Sequence, residues 1–222
     1  LHHSYEEYLR VLELSRVKLE YCDGEIYAIA GGTPAHADLA ASVTRLLGNA
    51  LLGRCRVSSS NLKVRIDATD LTTFPDVTVV CGERELATID RNAVVNPTLL
   101  VEVTSPSTED YDRGEKLSNY KQIASLRAVL IVSHRRAQVT LVERSAEGWR
   151  VSEVREGETV AIDPLRLSLS VDELYAGIAL ETAGTPGRGQ LQRRARAERL
   201  HAVVRDAACL LGRHGARRVW LF

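Results

Sequence analysis

A chain of 222 residues, 45% hydrophobic and 26% charged, has a globular composition and can bury a core without disulfide or metal staples. No apolar run approaches the ~18 residues of a membrane helix, and residues 1–7 carry no apolar signal core, so the reading is a cytoplasmic protein with no membrane partner. The 29 basic and 29 acidic residues cancel, yet residues 183–222 hold nine Arg against Glu198 and Asp206, leaving 20 basic and 27 acidic residues in 1–182. An acidic body is no generic sponge for nucleic acid; it suits a metal site or a plain solvated surface. Met is absent, and the chain opens on Leu1 and closes on the apolar run 219–222, so a fragment clipped at both ends is expected.

In chain order, residues 5–14 place Tyr8, Val11 and Leu12 at helical spacing, with Ser4 as N-cap and Glu7 three residues on as its capping-box partner. Runs 17–22 and 25–30 read as a hairpin, because Asp23-Gly24 supplies the positive φ angles of a tight turn. Thr33-Pro34 launches a second helix whose apolar stripe is Leu39, Val43, Leu46, Leu47 and Leu51. Strand-like runs follow at 55–59, 62–66, 77–81 and 98–104. A further helix reaches about residue 125, then come strands at 128–133, 139–143 and 149–154 and a short helix at 171–178. This order of elements predicts an α/β (α+β) body over 1–182. Residues 183–189 are a linker by composition, and 190–214 form a basic amphipathic helix. Cys22, Cys55, Cys81 and Cys209 lack C-x-x-C spacing and read as small buried hydrophobes in a reducing cytosol.

Two strands carry an acid where a core strand would not. In Leu99-Leu100-Val101-Glu102-Val103, alternation puts Glu102 on one face and Val101 and Val103 on the other. An ionised Glu there is expensive unless a cation or hydrogen-bond donors meet it. Asp76 follows Pro75 and heads the apolar run 77–80. Two such acids on neighbouring strands form a hard-oxygen pocket suited to Mg²⁺ or Mn²⁺. Asp112, Lys116 and Tyr120, spaced by four, share a helix face. Asp112 with Glu115 reads as another N-cap and capping-box partner, and Lys116 can reach back to the strand ends. Two carboxylates, a lysine and a divalent metal suffice for phosphodiester hydrolysis.

These pieces resemble a known family. Ser4-Tyr5-Glu6-Glu7-Tyr8-Leu9, Glu20-Tyr21-Cys22-Asp23-Gly24-Glu25, Ala35-His36, Phe74-Pro75-Asp76-Val77, residues 101–108 and Asp112…Lys116…Tyr120 occur in the order and spacing of the Uma-two family. That family groups endonucleases of the PD-(D/E)XK restriction-endonuclease-like superfamily, and the resemblance covers residues 4–178. It implies a mixed central sheet flanked by helices, Asp76 and Glu102 as metal ligands, and Glu20 as an auxiliary acid. The superfamily keeps its lysine two residues after the second acid; here Thr104 stands there, and Lys116 fills the role from the following helix.

The expected function is a metal-dependent DNA endonuclease with catalytic Asp76, Glu102, Lys116 and Glu20, with a homodimer suited to double-strand cleavage. Two rivals stand beside it: a silent nuclease-fold binding module, given Thr104, and an accessory domain of a nucleotidyltransferase. The second rests on 190–222, where residues 211–222 resemble the segment leading into the active-site loop of minimal nucleotidyltransferases. That strand is expected to lack a sheet, and the tail to be dispensable for the body. His36 reads as a solvated or hydrogen-bonded helix residue, and Gly31-Gly32 as punctuation.

Overall fold

The computed structural model describes residues 2–29, 32–106 and 108–180, together with the strand Trp220–Leu221. Helix α1 spans Tyr5–Leu14, and Ser4 and Glu7 close a reciprocal capping box: the Glu7 amide donates to Ser4 Oγ at 3.2 Å, and the Ser4 amide to Glu7 Oε2 at 2.9 Å. Strands β1 (Leu19–Cys22) and β2 (Glu25–Ala28) pair antiparallel through a turn in which Asp23 and Gly24 take φ of 46° and 82°. Helix α2 (Pro34–Ala50) begins after Thr33, whose Oγ1 accepts from the His36 amide.

The further strands are β3 (Cys55–Ser59), β4 (Lys63–Ile66), β5 (Leu71–Thr73), β6 (Val77–Cys81), β7 (Ala93–Val94), β8 (Leu99–Val103), β9 (Ala128–Val132), β10 (Gln138–Ser145), β11 (Gly148–Arg155), β12 (Thr159–Ile162) and β13 (Leu167–Ser170). Between β8 and β9 runs one helical segment: α3 (Glu109–Tyr111), a π-helical turn (Asp112–Lys116) and α4 (Leu117–Tyr120). A short α5 (Val171–Tyr175) follows β13. Among the described residues the mixed α+β fold holds two six-stranded sheets rather than one. The first has the order β11-β10-β9-β8-β6-β3, and the second β14-β2-β1-β5-β4-β7, where β14 is Trp220–Leu221; β12 and β13 form a hairpin.

The first sheet is the middle layer. On one face Val77, Val79, Val101, Val103, Leu130 and Val132 pack under Leu39, Val43 and Leu47 of α2 and Leu174 of α5. On its other face Leu100, Val129 and Ile131 meet Leu117 and Tyr120, together with Val64, Ile66 and Leu71 from the second sheet. Helix α1 packs its tyrosines on β1 and β2. The helical segment 109–120 therefore sits on the same face of the middle sheet as the second sheet, which is what places a site there.

Three expectations are corrected. Cys55 and Cys81 form a disulfide, because the β3–β6 register sets them directly opposite each other with Cα atoms 4.2 Å apart; the reading of four reduced, unpaired thiols fails, and Cys22 alone is free among the described residues. The tail strand does find a sheet: Trp220–Leu221 runs parallel to β2, Trp220 beside Tyr27 and Leu221 beside Ala28. The segment after β8 is helical to Tyr120, not to 125, and Asp112 lies inside it rather than at its start. The linker 183–189, the basic helix 190–214 and Cys209 lie outside the described residues.

Candidate active site

The sheet brings the two expected acids together. Strands β6 and β8 are antiparallel with Val77 opposite Val101, so Asp76, one residue before β6, falls across from Glu102 on the same face. The Val103 amide donates to Asp76 Oδ2 at 2.8 Å, fixing the acid to the strand that carries Glu102. His36, in the first turn of α2, places Nε2 3.2 Å from the same oxygen. Gly32 makes room for that ring: a Cβ at Gly32 would lie 2.6 Å from His36 Nδ1. The glycine read as punctuation thus has a packing reason.

The helical segment delivers the cation. Lys116 Nζ lies 3.0 Å from Glu102 Oε1, and the Tyr120 hydroxyl donates to the same oxygen. Asp112 Oδ1, one turn back, is 3.9 Å from Lys116 Nζ, and Glu20 Oε1 reaches it from β1 at 3.8 Å. Glu20 is itself held by the Thr73 hydroxyl and by the Phe74 amide at 3.0 Å. Glu102 is 4% exposed and Lys116 6%, so the pair is screened from water and its Coulomb interactions are strong.

Carboxylates outnumber cations here, and the titration behaviour follows. Burial is the main force raising the Glu102 pKa to about 8; Asp112 and Asp76 raise it further, while Lys116 and the Tyr120 hydrogen bond oppose them. Asp112 is likewise raised, by burial first. Burial alone would depress Lys116, but Glu102, Glu20, Tyr120 and Asp112 together override it and hold the ammonium charged. The hydrogen bond to Asp76 raises His36 above its ordinary value against the opposing effect of burial.

Glu20, Asp76, Glu102 and Lys116 are thus brought to one place, and Tyr120 packs in the core with its hydroxyl at the site, as the helical spacing indicated. Asp112 is not a solvated cap but a buried member of the cluster. Of the two readings of His36, solvated or hydrogen-bonded, the structure shows the second, with Asp76 as partner; Lys18 was missed. Lys18, two residues before Glu20, hydrogen-bonds Ser60 Oγ at 3.0 Å and its carbonyl oxygen at 2.6 Å; burial lowers its pKa, and the nearby Asp76 partly opposes this. The two-residue spacing from Glu20 was the signal that could have found Lys18.

Among the described residues no three His, Cys, Asp or Glu side chains are arranged as a ready metal cage. The donor set still suits Mg²⁺ or Mn²⁺, since Mg²⁺ is commonly held by one or two carboxylates and keeps several waters. Asp76 and Glu102 provide such a pair, in a cluster whose excess of acid lacks matching cations.

Comparisons with known proteins bear on the family and the fold. A family model named Uma2 and described as "Putative restriction endonuclease" matches residues 5–174. Two uncharacterized proteins of Synechocystis are similar. One, slr1290, is 36% identical over 178 residues, covering 79% of this chain and 93% of its own; the other, sll1609, is 32% identical over 127 residues, covering 57% and 72%. A crystal structure described as a "putative nuclease belonging to DUF820" from Anabaena variabilis superposes with a TM-score of 0.64 at 14% identity, covering 78% of this chain and 98% of that one. The likeness shows a shared fold.

Proposed function

The chain belongs to the Uma2 family, and from that membership and the buried acid cluster we propose a metal-dependent endonuclease that hydrolyses DNA phosphodiester bonds. The observation that carries the reading is Glu102, an acid in the middle of an apolar strand, buried, and met by Lys116 at 3.0 Å. An acid buried this way is costly to ionise, and such groups concentrate at functional sites.

Asp76 and Glu102 would hold Mg²⁺ or Mn²⁺, which when bound lowers the pKa of a coordinated water and offsets charge growing on phosphorus. The protein's own groups prepare that site. The Val103 amide and His36 orient Asp76; Tyr120 and Lys116 orient Glu102. Lys116 stays an ammonium in this field, so its part is to hold a phosphoryl oxygen rather than to take a proton. Glu20 and Asp112 keep that ammonium in place from two sides.

The test is Mg²⁺-dependent nicking of supercoiled plasmid by the full chain. Glu102→Gln and Asp76→Asn are expected to lose activity by about 10³-fold or more, the scale of removing transition-state charge stabilisation. Plasmid cleaved equally by both variants would sink the reading.

A further inference from the structure

Thr104 follows β8 directly, two residues beyond Glu102, and its amide donates to the Val132 carbonyl at 2.9 Å. It is fully buried, and its hydroxyl serves a chain of contacts leading outward. His134, two residues past β9, places Nδ1 2.7 Å from Thr104 Oγ1, and its amide also donates to that oxygen at 3.2 Å. The next residue, Arg135, donates from Nε to His134 Nε2 at 3.3 Å. An Arg135 NH2 group also pairs with Glu109 of α3 at 3.1 Å. The turn carrying Arg135 is fastened as well: the Ser133 amide donates to the Gln138 carbonyl at 3.0 Å, the Arg135 amide to Ser133 Oγ at 3.2 Å, and the Tyr175 hydroxyl reaches the Ser133 and Gln138 carbonyls.

Arg135 is therefore a half-exposed guanidinium, 53% accessible, held by two partners on a rigid turn. Arginine has five N–H donors, and those two contacts engage two of them. Arg136 beside it is exposed as well. In a body that is acidic over residues 1–182, a pre-oriented cation braced on Thr104, two residues along the chain from Glu102, is out of character for a solvated face. A guanidinium so held loses little further freedom when it meets an anion.

We propose that Arg135 is a phosphate-contact residue that seats the DNA backbone beside the acid cluster, with Thr104 and His134 as its positioning residues. The proposal rests on the nuclease reading and names the group that would hold the substrate within a few nucleotides (~3.4 Å of rise each) of the reacting bond. It also gives Thr104 a use: the position that holds lysine elsewhere in the superfamily here braces a cation on the neighbouring turn. A phosphate contact carries no base readout, so the contribution should be independent of sequence.

The experiment measures binding of the full chain to fluorescein-labelled 20-base-pair duplexes of two unrelated sequences, in EDTA and over a salt series, with plasmid nicking assayed separately. Arg135→Gln is expected to weaken binding to both duplexes by about 3–10-fold and to reduce the slope of log affinity against log salt by about 1. Arg135→Lys, which keeps the charge, should retain the slope with a smaller loss. Arg45→Gln, on α2 and paired with Glu173 at 3.2 Å, should bind as wild type. Because the slope counts phosphate contacts, a general loosening of the fold does not reproduce this pattern. Wild-type affinity and slope in Arg135→Gln, with nicking intact in the wild type, would overturn the proposal and leave the nuclease reading standing. A wild type that neither binds nor nicks DNA would overturn both.

Discussion

Two buried ionic clusters, one on each sheet, use the same ingredients to opposite effect. On the second sheet Lys63 pairs with Asp90 at 2.5 Å, and Asp90 also accepts from the Tyr5 hydroxyl at 3.0 Å and the Asn92 amide at 2.9 Å. Beside it Arg65 pairs with Asp67 and Asp70 and lies 4.2 Å from the centre of the Tyr5 ring, in a trio of packed tyrosines with Tyr8 and Tyr21. On the middle sheet Lys116 meets Glu102 at 3.0 Å, but Asp76, Asp112 and Glu20 crowd the same space. Burial would raise both acids. At Asp90 the lysine and the donors win and its pKa falls; at Glu102 the surplus of carboxylates adds to burial and the pKa rises to about 8. The difference teaches that a buried lysine–carboxylate pair is not in itself a sign of function. What marks the site is an excess of buried acid that its own cations do not neutralise; Asp67 and Asp70 of the other cluster are exposed to water.

The sharpest way to break the comparison is to remove the cation from the matched Lys63–Asp90 pair. Lys63→Ala leaves Asp90 buried and unpaired, and is expected to cost about 3–5 kcal/mol of stability in urea unfolding. A loss under about 1 kcal/mol would show that the two clusters are not built on different principles.

Glu102→Gln should do the reverse. At neutral pH and without divalent metal it removes an acid held in an unfavourable setting, and is expected to raise stability by about 1–3 kcal/mol while abolishing nicking. The pH dependence gives the sign. The folded pKa of Glu102 lies above its unfolded value, so between about pH 4.5 and 8 the folded state binds the extra proton and stability falls as pH rises. The depressed Asp90 acts oppositely: its contribution is present above its unfolded pKa and is lost as acid protonates the folded carboxylate. Unfolding free energies measured from pH 4.5 to 8 should show a downward slope in wild type that becomes shallower in Glu102→Gln, the remainder coming from the raised Asp112 and His36. An unchanged slope would remove Glu102 as its source.

A smaller effect is expected at the edge of the site. Gly32→Ala would push the His36 ring away from Asp76, lowering nicking several-fold with little change in thermal melting. Full activity in that variant would show that His36 does not orient the acid.

Local signals were legible in the sequence because their physics is local. Ser4 with Glu7, Asp23-Gly24 and Thr33-Pro34 each fix a helix start or a turn without help from the rest of the chain. Glu102 stood out for the same reason, an acid interrupting an apolar strand. Contacts that need register were hidden. Cys55 and Cys81 meet only because β3 and β6 pair as they do, 26 residues apart. Glu20 was placed by the family resemblance alone, since it approaches Lys116 only because the second sheet lies on the helix-bearing face of the middle one. Asp112 was misread because an acid followed three residues later by Glu looks the same at the start of a helix as inside a π-helical turn. Strands β5, β12 and β13 are three or four residues long and lie close to short 3-10 turns, too brief for periodicity to declare them.

The account's central claim, that surplus acid at Glu102 and Asp76 prepares a divalent-cation site, is tested most directly by calorimetric titration of the full chain with Mn²⁺ near pH 7 in two buffers of different protonation enthalpy. It predicts one saturable site that releases up to about one proton, because Glu102 is largely protonated before the cation arrives. Binding should be lost in both Glu102→Gln and Asp76→Asn. Absence of binding in the wild type, or binding of equal strength and proton release in both variants, would contradict it.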